Sequence, residues 1–158
     1  MKRNLFLLVF VAFLSCALAQ NDNPVSVRLE IFVVSEVDGE ETFQASDTAR
    51  PGQVVEYRLF ARNESETTLP AGTVVITGPV PDGTTFIANS ATPTNERILT
   101  EFSVNSTDFG EPPLIVESGD ERRAAEPADY RAARWTLLEP LEPGSEEPFI
   151  YRVTVDGS

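Results

Sequence analysis

Beyond its first nineteen residues this chain has no lysine, cysteine or methionine, and it has no histidine anywhere; Lys2, Cys16 and Met1 all lie near the start. Each absence removes a class of chemistry. Without histidine or cysteine there is no Ser-His-Asp or Cys-His nucleophile and no zinc site built on nitrogen or sulfur. Without lysine a Ser-Lys dyad fails too. No disulfide can form, so burial alone must hold the fold. The remaining route to hydrolysis is a carboxylate pair, and none of the 25 acidic residues falls in a recognisable motif of that kind. The composition therefore predicts a protein that is not an enzyme and needs no cofactor.

Positive charge is also scarce. From Gln20 onward ten arginines face 25 acids. A balance so acidic argues against nucleic acid, whose phosphates need clustered Lys or Arg, and against docking on anionic membranes.

What the chain does have begins with a leader. Lys2 and Arg3 precede an unbroken apolar run from Leu5 to Leu14, and Ala17-Leu18-Ala19 supplies the small residues a signal peptidase reads. The run is too short to span a bilayer, which takes about 20 apolar residues. The pattern predicts export, with a signal peptide over 1–19 cut before Gln20. Cys16 follows Phe13-Leu14-Ser15, a poor lipid-attachment box. Residues 20–24 read as a flexible lead, and 25–158 as one domain.

Within that domain, Val25, Val27, Leu29, Ile31 and Val33 recur at every second position, the mark of a half-buried strand. Residues 35–50, with an Asp38-Gly39 turn signal, read as a hairpin or a long loop. Val54 to Asn63 is a second strand, with Val55, Tyr57, Leu59 and Ala61 assigned to the core and Glu56, Arg58, Phe60 and Arg62 to solvent. Short strands follow at Thr73 to Ile76 and Thr84 to Ile87, separated by the Pro79-Val80-Pro81-Asp82-Gly83 turn. Weaker candidates lie at Arg97 to Val104 and Leu114 to Glu117, then a charged loop over 118–129 with one helical turn. Arg131 to Leu138 and Pro148 to Val155 close the chain. No stretch of ten residues after the leader has helical period. Short strands punctuated by turns predict an immunoglobulin-like antiparallel β-sandwich of about seven strands.

Three stretches carry a family resemblance. The first is Pro51-Gly52, Tyr57 and Asn63 on one strand. The second is Ile76-Thr77-Gly78 leading through Pro81-Asp82-Gly83 to Phe86. The third is Trp135 and Leu137 followed by Pro143-Gly144. In order and spacing they resemble the bacterial conserved-repeat domain, known as domain of unknown function eleven, over about 51–155. The resemblance implies an immunoglobulin-like fold in an envelope or extracellular setting and no particular chemistry. The family often carries an acidic residue where this chain has Gly78, and it commonly occurs in tandem, whereas this is a single copy. Physics assigns the same residues structural work: Tyr57 and Trp135 suit a sheet-sheet interface, Asn63 a strand exit, and Gly83 and Gly144 turns needing positive φ.

Two candidate sites remain. Glu36, Asp38 and Glu40, beside Glu41, are the leading oxygen ligands for calcium, with looser pairs at Asp108 and Glu111 and at Asp120 and Glu121; none has EF-hand spacing. Phe32, Val34, Phe60 and Ile150 fall on the nominally outward faces of strands whose other faces are already apolar. They are expected either to lie under the 88–130 insert or to form a contact surface, with an open edge strand that a partner could extend. The sequence thus points to a noncatalytic exported module that binds an envelope or extracellular protein, the alternative being calcium or glycan binding through acidic loops.

Overall fold

A computed structural model describes residues 23–119 and 121–157. Ten strands run in chain order: β1 (Val25–Val37), β2 (Glu40–Ala45), β3 (Val54–Asn63), β4 (Val75–Pro79), β5 (Thr84–Phe86), β6 (Ile98–Ser103), β7 (Ile115–Ser118), β8 (Glu121–Ala124), β9 (Ala132–Leu137) and β10 (Glu146–Val155). A 3-10 turn at Pro127–Asp129 is the only helical element among the described residues. The fold is an all-β antiparallel sandwich. Five strands in the order β2-β1-β3-β10-β5 form one layer and β4-β9-β6 the other, with β7-β8 as a small separate hairpin.

The strand count exceeds the expected seven for identifiable reasons. Asp38 and Gly39 both take positive φ, 54° and 83°, which a two-residue hairpin turn requires, so 35–50 begins with the β1–β2 hairpin. The charged loop after 118 contributes β8, whose residues are all exposed, and then the single 3-10 turn. Pro79, assigned to a turn, instead ends β4 opposite Ala132. Val80 donates to Arg131 and Val74 accepts from Leu137, so even-numbered positions of β4 bond β9 and odd ones face away. At an odd position on an edge strand proline forfeits no ladder bond.

The layers meet through aromatic rings. Phe102 on β6 lies edge-on to Phe86 on β5, with centroids 5.4 Å apart, and Trp135 on β9 stacks on Phe149 of β10 at 5.6 Å. Tyr151, also on β10, stacks on Tyr57 of β3 at 5.0 Å and donates its hydroxyl to Pro79 O at 2.6 Å. These contacts set β6 above β5 and β9 above β10 and tie β4 to Tyr151, and the strand orders then carry β4 to the level of β3. Nothing in the three-stranded layer stands above β1. Val27 and Leu29, expected on a buried face, are accordingly 51% exposed each, while Val33 on the same face is buried.

Trp135 is wholly buried and its Nε1 donates to Thr92 O at 3.1 Å. Asn63, also wholly buried, donates through Nδ2 to Thr67 O and Leu141 O, while its Oδ1 accepts from Ser65. Gly83 and Gly144 have φ of 75° and 72°, as their turns demand. Gly78 is confined by packing instead. A Cβ there would lie 2.7 Å from Tyr151 Cε1 and 3.1 Å from the Trp135 ring. An acidic residue at this position would thus meet the two largest side chains of the core.

Gly78→Ala should lower unfolding free energy by about 1–3 kcal/mol through overpacking, read as a fall in the urea midpoint at constant slope; an unchanged midpoint would show that the rings have room to move.

Burial raises the phenols of Tyr57, Tyr130 and Tyr151 above their ordinary value, with the nearby Asp129 and Tyr57 adding to the effect at Tyr130 and Tyr151 respectively. The folded chain therefore holds these protons more tightly than the unfolded one. That contribution is complete below the unfolded tyrosine pKa of about 10 and is lost as pH rises through the folded values. Melting temperature should fall only above about pH 10, with tyrosinate absorbance appearing together with loss of the β circular-dichroism signal. Tyrosinate forming while the fold persists would contradict it.

Candidate outer-face contact site

The four residues assigned to a contact surface do share one face, the outward side of the five-stranded sheet. Register places Phe43 beside Val34 and Val54, Phe32 beside Glu56 and Arg152, Glu30 beside Arg58 and Ile150, and Arg28 beside Phe60 and Pro148. Phe32, Val34, Phe60 and Ile150 are each half-buried. What covers them is arginine. The Arg28 guanidinium lies over the Phe60 ring at 3.9 Å, and that of Arg58 over Phe32 at 4.5 Å and Phe43 at 4.8 Å. Phe32 and Phe43 themselves meet edge to face at 6.3 Å. Planar guanidinium groups suit such faces because they stack flat on a ring while their edges stay free to donate.

One carboxylate anchors this layer. Glu56, assigned to solvent by alternation, is only 3% exposed. It accepts from Arg58 Nε at 2.6 Å and, on its other oxygen, from Arg152 Nε at 2.7 Å. Arg152 also reaches across the sheet to grip both oxygens of Glu41, at 2.7 and 2.8 Å. Those hydrogen bonds hold the Glu41 carboxyl below its ordinary range and raise Arg152 above its own, so both stay charged. Arg28 pairs with Glu30 and Glu146 at the other end of the face. The result is a lattice of alternating charge over an apolar floor, extending from β2 to β10.

The 88–130 insert contributes differently from expectation. Its first residues run along the free side of β10 instead of over the phenylalanines. Thr92 N–H donates to Ile150 O while Thr92 Oγ1 accepts from Ile150 N–H, and Ser90 Oγ accepts from Arg152 N–H. Side-chain hydroxyls thus take the place of a missing strand. Between this ridge and the sheet lies a groove of about 770 Å³, floored by Val54, Ile150 and Val34, with Glu41, Glu56 and Arg152 along it. A cleft of about 410 Å³ lies on the insert's other side, against Phe86, Phe102 and Tyr130.

The calcium candidates are not gathered into a site. Glu36 faces Glu41 across the hairpin, Asp38 occupies the turn, and Glu40 is exposed beyond it. Among the described residues no group of three or more Asp, Glu, His or Cys side chains is placed to hold a metal ion, and Asp120 lies outside them. Sequence reasoning sent Glu56 and Arg58 outward but named neither of them, nor Arg152 or Phe43, as part of the candidate contact site. Their signal was present as the alternation of arginine with phenylalanine at outward positions. With this geometry in place, comparison with protein-family models, curated proteins and solved structures yields no match.

Removing the anchor leaves two guanidinium groups with reduced compensation. Because both arginines keep about a quarter of their side chains in water, Glu56→Ala should destabilise by about 2 kcal/mol, less than the 3–5 typical of a fully buried pair. A double-mutant cycle with Arg152→Ala in urea should show coupling above about 0.5 kcal/mol; additive effects would mean that the bridge is incidental.

Proposed function

We propose that this chain is a noncatalytic, exported immunoglobulin-like module of a bacterial envelope or its surroundings, working by protein-protein contact through the outer face of its five-stranded sheet. The observation that carries this reading is the composition of that face: Phe32, Phe43 and Phe60 lie beneath Arg28 and Arg58, with Arg152 beside Phe43. Arginine and large aromatics are the residue types in which binding hot spots are enriched. The arginines are already oriented by Glu30, Glu41, Glu56 and Glu146, so less side-chain freedom is lost when a partner docks. Export is supported by the tripartite leader, and the envelope setting by the three motifs resembling the conserved-repeat domain. The lack of histidine, lysine and cysteine beyond the leader supports a role without catalysis.

The test has two parts. N-terminal sequencing of the protein recovered outside the cytoplasm should begin at Gln20. The recovered protein, immobilised, should then retain a component of envelope extract that a Phe43→Ser, Phe60→Ser double variant fails to retain, although both melt at temperatures within a few degrees. Equal retention by the two proteins would move the contact elsewhere, and an uncleaved chain in the cytoplasm would remove the setting.

A further inference from the structure

The three-stranded layer stops one strand short of the layer it covers. Its last strand, β4, stands above β3, so the next position outward lies above β1. No strand fills that position among the described residues, the 46–49 segment lying against its Ile31 and Tyr57 end, and three features converge on it.

The first is an unsaturated backbone. Even-numbered residues of β4 bond β9, so the N–H and C=O of Val75 and Thr77 point into the vacant position; neither has a hydrogen-bond partner among the described residues. The second is an apolar floor. Val27 and Leu29 turn their side chains toward the same space and are half exposed, and the half-buried Tyr57 and Ile31 continue the floor. The two features are level with each other. Gly78 sits against Tyr151, whose row across the sheet contains Tyr57 and Ile31. At the other end Leu141 is bonded both to Leu69 and to Asn63, which shares a row with Val25. Val75 and Thr77 fall between these limits, opposite Val27 and Leu29. The third feature is charge. Exposed Glu64, Glu66 and Glu142 stand at the Asn63–Leu141 end of the slot.

We propose that this slot receives an extended segment of a partner protein, which pairs with β4 as a fourth strand of the smaller layer. Unpaired backbone groups select an extended chain, since only a strand presents donors and acceptors at matching intervals. The floor selects apolar side chains at alternate positions of that strand, because period two puts every second residue on Val27, Leu29 and Tyr57. The acidic end selects a lysine or arginine at the strand's terminus. A second folded copy cannot enter by pairing its own β4 there, because its β3 would need the space held by β1. The proposal rests on the reading that the chain acts by contact, but on a different surface from the outer face.

The test uses the exported chain and a display library of random linear peptides of about nine residues, panned in parallel on wild type and on Leu29→Arg. Leu29 is half exposed, so the variant keeps its melting temperature. Thr77→Pro supplies a second variant that removes one edge donor at a position where proline breaks no ladder bond. Selected peptides should alternate apolar and polar residues, carry a terminal basic residue, and slow amide exchange at Val75 and Thr77. They should bind each variant at least about tenfold more weakly, the loss expected from about 1.4 kcal/mol of pairing and burial, and bind Phe60→Ser as they bind wild type. No enrichment over Leu29→Arg, or peptides indifferent to both slot variants, would overturn the slot. Loss of binding on Phe60→Ser alone would overturn it while leaving the outer-face reading intact. Protection of the two amides in the uncleaved chain carrying residues 1–22, or a wild-type dimer that Leu29→Arg dissociates, would show an occupant from this protein and overturn the assignment to a partner.

Discussion

The closure of two unequal sheets over Tyr151 governs this molecule. That one side chain stacks on Tyr57 in its own layer, lies against Trp135 in the other, donates to Pro79 O and rests on the bare Cα of Gly78. Stacked rings and a satisfied hydroxyl let a large polar-tipped residue sit in a core that has no disulfide to reinforce it. Because Tyr151 ties β4 to β10, and the strand orders set β4 no further out than β3, it also fixes what is left uncovered. The exposure of Val27 and Leu29 is the geometric remainder of placing three strands over five.

The sequence made the layers legible but not their overlap. Alternation located β3 at its observed ends, and the turn chemistry of Asp38-Gly39 and Gly83 fell where the chain reverses. Period two reports which side chains share a face; it is silent on whether anything covers that face. Val27 and Val33 obey the same rule in the same strand, yet one is exposed and the other buried, because the 46–49 segment lies against Val33 whereas the lateral offset of the second sheet leaves Val27 uncovered. Offset arises from contacts between residues far apart in sequence, such as Phe86 with Phe102 and Gly78 with Tyr151, and no local pattern encodes it. β8 escaped notice for a related reason: Glu121-Arg122-Arg123-Ala124 has no apolar face and is a strand only through its pairing with β7.

Glu56 shows the same limit from the other side. Its neighbours Val55 and Tyr57 face the core, so alternation sends it outward, and outward it goes. It is nevertheless buried, because Arg58 and Arg152 close over it. A sheet face can be dry without a second sheet if long side chains lie flat across it. The candidate contact surface was therefore half legible: Phe32, Val34, Phe60 and Ile150 were visible as apolar residues on the wrong face, whereas the arginines that organise them looked like ordinary solvent-facing charge.

That organisation gives physical meaning to the absence of lysine beyond residue 19. An ammonium on a flexible stem is strongly hydrated and offers no plane to a ring, so it would leave Phe32, Phe43 and Phe60 open to water. A guanidinium covers a ring with one surface and binds a carboxylate with its edge, as Arg58 does between Phe32 and Glu56 and Arg28 does between Phe60 and Glu30. The outer face and the slot beside β4 then differ in kind. The first has apolar groups already screened by charge, so a partner meeting it must match oriented donors and acceptors. The second has apolar groups and backbone left bare, so a partner meeting it needs only to be extended and alternating. On the proposed reading, two surfaces with such different demands, on opposite faces of β1, would let the module join two components without either competing for the other's site.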